Sequence, residues 1–204
     1  LMATTTPNYG WPVPTSTDYV KDGALAIENL GDAIDATVFG LGGAGVTLIS
    51  ATTFSAQSTI NINSCFSSTY TNYRVLIDYK GDAGAVGFTV RLRIASDDTS
   101  AVYDRQAVYV TGTAVAGVRS QAQTSWLLTE GTRLYQTASI DFFSPNVNAP
   151  TRLIANYSNA DTDWAFSLVN IATNEHRSNY QATGFTLLTT SAASGTIKVY
   201  GYKD

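Results

Sequence analysis

In 204 residues the chain has one cysteine, one methionine and one histidine, and these scarcities exclude a good deal of chemistry. A lone Cys65 cannot close an intrachain disulfide, and its expected place is that of a small buried hydrophobe. Zinc sites draw on several His or Cys ligands, and Cys65 with His176 does not make a set. His176 is the single imidazole base, and no Gly-x-Ser-x-Gly turn accompanies it, so no nucleophilic triad can be assembled from motif. The glycine run Gly40–Gly45 lacks the Lys-Ser/Thr ending of a phosphate loop. Charged residues make up only 14%, and a net charge of -4 leaves no basic stripe, so neither nucleic acid nor electrostatic membrane docking is expected. No apolar run approaches the roughly 20 residues of a membrane span. The opening LMATTTPNYGWPVP has no basic leader and no apolar run, so no Sec signal is expected. No cofactor and no metal is expected, and no catalytic residue is assigned.

What is present begins with the only stretch that reads as a helix, Asp18–Thr37, within a segment drawn as residues 18–39. Val20, Ala24, Ile27, Leu30, Ile34 and Val38 form a narrow apolar stripe, while Lys21, Asp22, Glu28, Asn29, Asp32 and Asp35 fall elsewhere on the wheel. With Gly23 and Gly31 each costing roughly 1 kcal/mol against alanine, such a helix is not stable alone in water. Its expected partner is the β domain or, preferably, the same helix from another copy. Thr17 or Asp22 is the expected N-cap, and the Gly40–Gly45 run is expected to end the helix.

Ahead of it, residues 1–17 carry Pro7, Pro12 and Pro14, which fix φ and remove amide donors, so an extended arm is expected. Tyr9 and Trp11 beside Pro12 and Pro14 suggest a strap that anchors in a groove on something larger.

From Val46 to the end at residue 204 the period changes from helical to two. Phe88, Val90, Leu92 and Ile94 alternate with Thr89, Arg91, Arg93 and Ala95, and Tyr73–Lys80 alternates in the same way. Further short runs are predicted as strands at Val46–Phe54, Ser58–Ile62, Tyr103–Thr111, Ser125–Glu130, Thr137–Ser144, Thr151–Ser158, Trp164–Ala172, Gly184–Thr190 and Gly195–Lys203. Turn residues separate them, and no helix intervenes. The predicted fold is all-β, an antiparallel β-sandwich of jelly-roll type at residues 46–204, preceded by an extended N-terminal arm and a short oligomerising helix.

Two stretches read as loops, Gly112–Thr124 and the polar Thr173–Gln181. Loops on a rigid sheet commonly carry binding, so His176, Asn179 and Tyr180 are candidate ligand contacts, with the histidine expected in a solvated loop. Trp126 and Trp164 are expected in the core. Asp97, Asp98, Asp104, Asp161 and Asp163 lack the calcium-loop spacing and suit turns. Asp78 and Asp141 on outward strand positions could pair for glycoside hydrolysis, but cross-strand pairing with arginines such as Arg91 and Arg93 is preferred.

The order Tyr9-Gly10-Trp11-Pro12-Val13-Pro14, Asp18-Tyr19-Val20-Lys21-Asp22-Gly23-Ala24, Ile27 and Leu30–Asp35 resembles the opening of tailed-bacteriophage structural proteins of the minor tail, neck or fibre type. The closing Ile197–Lys203 resembles the terminal strand of their β domains. The resemblance implies a location in the virion, an arm that anchors to other virion proteins, a homo-oligomeric helical bundle of three chains, and an outward β domain for host attachment. The seam itself, with Ile at one core position and Leu at the other, leans towards two strands, so the trimer rests on the resemblance. The expected function is a non-enzymatic fibre or adhesin with host-surface glycan as a candidate partner. A glycan-cleaving tail enzyme and a capsid or neck decoration protein are the alternatives.

Overall fold

A computed structural model describes residues 4–15, 19–41, 45–111, 113–129, 134–160 and 168–203. The chain divides into two units, Leu1–Gly45 and Val46–Asp204.

In the first unit the arm doubles back instead of running out as a strap. Strands β1 (Thr4–Thr5) and β2 (Pro12–Val13) pair antiparallel, and the turn between them is closed by Thr6 N–H donating to Trp11 O at 2.9 Å. Gly10 sits in this turn at φ +68°, where a side chain would be strained. A 3-10 turn (Val20–Asp22) leads into helix α1 (Gly23–Leu41). The N-cap is Tyr19, which supplies no side-chain bond, so Asp22 does not cap; Thr17 and Asp18 lie outside the described residues. The helix also runs through Gly40 and Leu41, about one turn beyond Thr37, so the glycine run stops it later than expected. Gly42, Gly43 and Ala44 are outside the described residues.

The arm, not foreseen as a partner, covers one side of this helix. Trp11 Nε1 donates to Thr37 Oγ1 at 2.9 Å, and Thr37 in turn bonds Ala33 O at 2.8 Å. Gly23, Ala26, Leu30, Ala33, Ile34 and Thr37 are half-buried. The rest of the predicted stripe is open within this unit: Val20 is 97%, Ile27 66% and Val38 58% exposed, with Ala24 exposed beside them.

The second unit is an antiparallel β-sandwich. Its strands are β3 (Val46–Ile62), β4 (Asn72–Gly81), β5 (Phe88–Arg93), β6 (Tyr103–Thr111), β7 (Ala114–Gln123), β8 (Trp126–Thr129), β9 (Tyr135–Phe143), β10 (Thr151–Ala160), β11 (Leu168–His176) and β12 (Gly184–Tyr202). Hydrogen bonding runs in the order β7-β6-β11-β10-β9-β4-β12-β5-β8, with β3 also on β12. The 19-residue β12 makes the two layers one ladder: Gly184–Thr189 pairs with β5, and Ala193–Tyr202 pairs with β4. The strand β3 accompanies it along both halves, with register shifts near Ala193 and Ala56 at φ 52°. Inward positions such as Tyr73, Val75, Ile77, Phe88, Trp126, Ile140, Phe142, Phe185 and Val199 fill the core.

Several predicted boundaries change. Two pairs of predicted strands fuse into β3 and β12, because the small residues read as turns at their middles bend the chain without ending its pairing. Gly112–Thr124 is largely strand β7 at the sheet edge, not a loop. Thr173–His176 completes β11, so the polar loop is shorter than expected, while Trp164, Asp161, Asp163 and Glu130 are outside the described residues. At the end of β5 the alternation breaks, burying Arg93 and exposing Ile94.

Gly195 lies opposite Tyr79 on β4, and a Cβ there would collide with the Asp78 carbonyl and with Tyr79. Gly195→Ala is expected to lower the unfolding free energy by about 1–3 kcal/mol, read from urea denaturation of the full chain.

Candidate functional site

Strand alternation puts one set of side chains into the core and the other on the outward face of the layer β12-β4-β9-β10-β11-β6-β7. The register then decides which outward residues meet. One row runs Thr196, Asp78, Thr137, Ser158; the next runs Lys198, Leu76, Ser139, Asn156, Ile171, Val108. Together the first four strands line a groove of about 600 Å³. Its floor offers hydroxyls, one amide and the Leu76 side chain, with Asp78 and Lys198 as its two charges. Thr137 and Ser158 hydroxyls meet across it at 3.0 Å. Such a lining of donors and acceptors with little charge suits a neutral hydroxyl-rich ligand.

Farther across the same face, Gln106, Arg119, Arg152, Thr173 and Glu175 border a second depression of about 360 Å³. Here the acids have protein partners. Glu175 faces Arg152 at 3.5 Å, and Asp104 takes Arg177 at 3.2 Å and the Ala122 N–H at 2.8 Å.

Between β4 and β9, Arg74 grips Asp141 with two bonds of 2.7 and 2.8 Å, and Tyr202 donates to the same carboxylate at 2.9 Å. These bonds, Arg74's first, hold the Asp141 carboxyl below its ordinary range against the opposing pull of burial. The expected cross-strand pairing therefore exists, but with Arg74. Arg91 instead donates to Thr124 O at 3.0 Å, and the buried Arg93 reaches Thr186 Oγ1 at 2.9 Å and Asp97 at 3.5 Å. Asp78 and Asp141 stand one strand over and four residues along, roughly 14 Å apart. Glycosidase acids stand roughly 5–9.5 Å apart, so this pair does not fit that chemistry.

The histidine is not in a solvated loop. His176 ends β11 with 0% exposure, its Nε2 2.7 Å from Asp98 Oδ2 and its Nδ1 3.1 Å from Ser178 O. The rings of Tyr103, Trp126 and Tyr180 surround it, at 4.8, 6.3 and 5.2 Å between centroids. Tyr103 ties the same corner by accepting from Leu92 N–H at 3.1 Å and donating to Asp98 O at 2.9 Å. His176 is thus packed structure, and Tyr180 is its half-buried neighbour rather than an exposed ring; Asn179 alone of the three is exposed. Burial pushes Asp98 up, but bonds from Ser100 and from His176 outweigh it and leave the carboxyl lowered.

The remaining candidates have structural places. Cys65 is buried, and burial pushes its thiol up to about 12, which makes it inert as a nucleophile. Asp97 accepts from Thr186, and among the described residues no group of three His, Cys, Asp or Glu could hold a metal. No helix among the described residues is long and apolar enough to cross a membrane. Trp126 is in the core. Tyr9 stacks on Trp11 at 5.1 Å and stays exposed; Pro12 lies in β2 and Pro14 is exposed.

Sequence reasoning did not single out Ser139, Asn156, Thr196 or Lys198. The available signal was the recurrence of hydroxyl and amide side chains at outward slots, as in Thr137/Ser139 and Asn156/Ser158.

No protein-family model matches the chain, and no curated protein does. Among solved structures, it is similar to the galectin LEC-6 of Caenorhabditis elegans at 10% identity, covering 74% of this chain and 96% of that one, with a TM-score of 0.33. It is similar to A. japonicus CB05 at 10% identity, covering 85% and 28%, with a TM-score of 0.35. A bifunctional GH43-CE protein of Bacteroides eggerthii is similar at 8% identity over 66% and 18%, with a TM-score of 0.26. The chain thus spans less than a third of the length of the last two. Likeness at this level does not extend to ligand or activity.

Because Asp98 and Asp141 are both lowered in the folded chain, the unfolded state binds protons first as pH falls. Their contribution is fully present above the unfolded value of about 3.9 and is lost as pH drops below it through the folded values. Asp141→Asn is expected to flatten the fall in stability below about pH 4 relative to the native chain, measured by denaturation at a series of pH values.

Proposed function

We propose that the chain is a virion structural protein of bacteriophage, a non-enzymatic fibre or adhesin whose sandwich binds host-surface glycan through its outward sheet face. The observation that carries the binding half is the groove of about 600 Å³ floored by Thr137, Ser139, Asn156, Ser158 and Thr196. Side chains of this kind exchange hydrogen bonds with sugar hydroxyls, and Leu76 offers an apolar contact for a sugar C–H face. Weak single contacts suffice where copies are held side by side, since linked sites gain roughly 10²–10⁴ in avidity.

The assembly half belongs to the first unit. Its 3-10 turn and helix keep Val20, Ala24, Ile27 and Val38 open while the arm covers the other flank. Joining copies along this seam, three by the resemblance, removes that apolar surface from water at about 25 cal/mol per Å². Tyr9 and Pro14, exposed on the hairpin, then face other virion proteins, while Trp11 is engaged on the helix at Thr37.

Saturable binding of the full chain on an array of bacterial surface glycans is the expected result, and Asn156→Ala should weaken it by about tenfold. A flat array response would leave the decoration reading in its place. For the assembly half, sedimentation at micromolar concentration should show an oligomer that Ile27→Asp converts to monomer; a native chain already monomeric would overturn it.

A further inference from the structure

Resting on the glycan-binding reading above, we infer that the ligand is a linear polysaccharide carrying carboxylates, laid across both depressions with an acidic sugar at Arg119. The two depressions share one face of one sheet, and the register fixes what lies between them. Ile154 and the directly opposed Ile171 and Val108 form an exposed apolar ridge there. A chain of sugars is amphipathic in this sense, with hydroxyl edges for the groove at Thr137 and Ser139 and C–H faces for the ridge.

Charge gives the far end its character. In the second depression the Asp104 and Glu175 carboxylates are engaged by Arg177 and Arg152, while Arg119 has no ion pair among the described residues. Arg119 stands opposite Gln106 on the edge strand β7, with an exposed side chain. In the first groove Lys198 is balanced by Asp78, neither of them ion-paired among the described residues; of the two exposed cations left on this face, Lys80 lies over the Tyr135 ring outside both depressions, and Arg119 is the one that borders a depression. A guanidinium fork matches a planar carboxylate with two parallel bonds, as Arg74 does with Asp141 on this same face. Lys198 and Arg119 are six strands apart, on the order of 30 Å, so the occupant is an extended chain of several sugars.

An arginine on an edge strand also discourages unwanted sheet pairing, and that role alone would not affect ligand choice. The test is therefore a comparison of two probes with one backbone. Titration calorimetry on the full chain uses oligogalacturonate and its fully methyl-esterified form. The free acid is expected to bind about tenfold more tightly at low salt, with the advantage shrinking as ionic strength rises. Arg119→Ala should remove the difference between the two forms, and Arg119→Lys should restore part of it. Equal affinity for the two forms, a difference that survives Arg119→Ala, or binding of neither form overturns the inference. In any of these cases a saturable response to neutral glycans on the array that Asn156→Ala weakens leaves the glycan-binding reading standing, whereas no glycan response at all removes both.

Discussion

The sandwich depends on β12 serving two layers. Its first half pairs with β5 and its second with β4, so the layers cannot separate without breaking backbone ladders. The bend between the halves must keep its amides bonded, since an unpaired buried N–H or C=O is costly. It does so partly with side chains: Ser194 Oγ accepts from the Ala56 N–H at 3.0 Å and donates to Asp82 at 3.1 Å. Bringing β3, β12 and β4 together in this way also requires Gly195, where no Cβ fits. The outward groove inherits its position from this bend, because Thr196 and Lys198 follow it directly on β12.

Core and face then follow from a division of labour between alternating slots. Inward slots on β4, β9 and β12 hold Tyr73, Val75, Ile77, Ala138, Ile140, Ile197 and Val199, all buried. Outward slots on the same strands mix hydroxyls such as Thr137, Ser139 and Thr196 with the charges Arg74, Asp78, Lys80, Asp141 and Lys198. In an ordinary solvated sheet face those slots are rich in Lys and Glu, which keep water bound and partners away. Here Arg74 and Asp141 consume one another, while Asp78, Lys80 and Lys198 have no ion pair among the described residues. Any partner that covers the hydroxyl and amide part of this face has to replace their bonds to water with bonds of its own.

The sequence pattern was most informative where inward slots are apolar. The alternation read at Tyr73–Lys80 falls within strand β4, because Tyr73, Val75, Ile77 and Tyr79 all occupy its inward slots. It failed where polar groups occupy inward slots. Asn174 and His176 point into the sandwich on β11, so TNEH reads as a loop although its backbone continues the strand. The partners that justify His176 are distant in sequence: Asp98 is 78 residues away, and no local pattern announces it. The edge strand β7 was hidden differently, by small residues with weak strand preference. The groove was illegible for a third reason. Ser139, Asn156 and Lys198 come from three strands, and only their register makes them neighbours. The helix stripe was plain, yet the arm's use of one flank was not, since it turns on Trp11 reaching Thr37 across 26 residues.

That flank bears on the assembly proposed above. One lysine faces five acids in residues 1–45, so the formal charge of -4 of the whole chain resides in the first unit. Copies of so acidic a unit repel one another at long range, and burial of apolar surface has to overcome this. The placement of the acids limits the penalty. With Val20 and Ile27 as the open seam, Asp22, Glu28, Asp32 and Asp35 all fall on the far side of the helix, and the exposed slots beside it hold Ala24, Gly31 and Val38, while Ala26, Ala33 and Ile34 are half-buried on the side the arm covers. Partner helices would therefore meet through small and apolar residues without setting carboxylates against each other. The same absence of flanking charge means that no salt bridge selects the number or direction of the chains. The hairpin supplies a steric substitute: by occupying the Leu30 and Thr37 flank, it leaves only the Val20, Ala24, Ile27 and Val38 flank to a neighbouring copy.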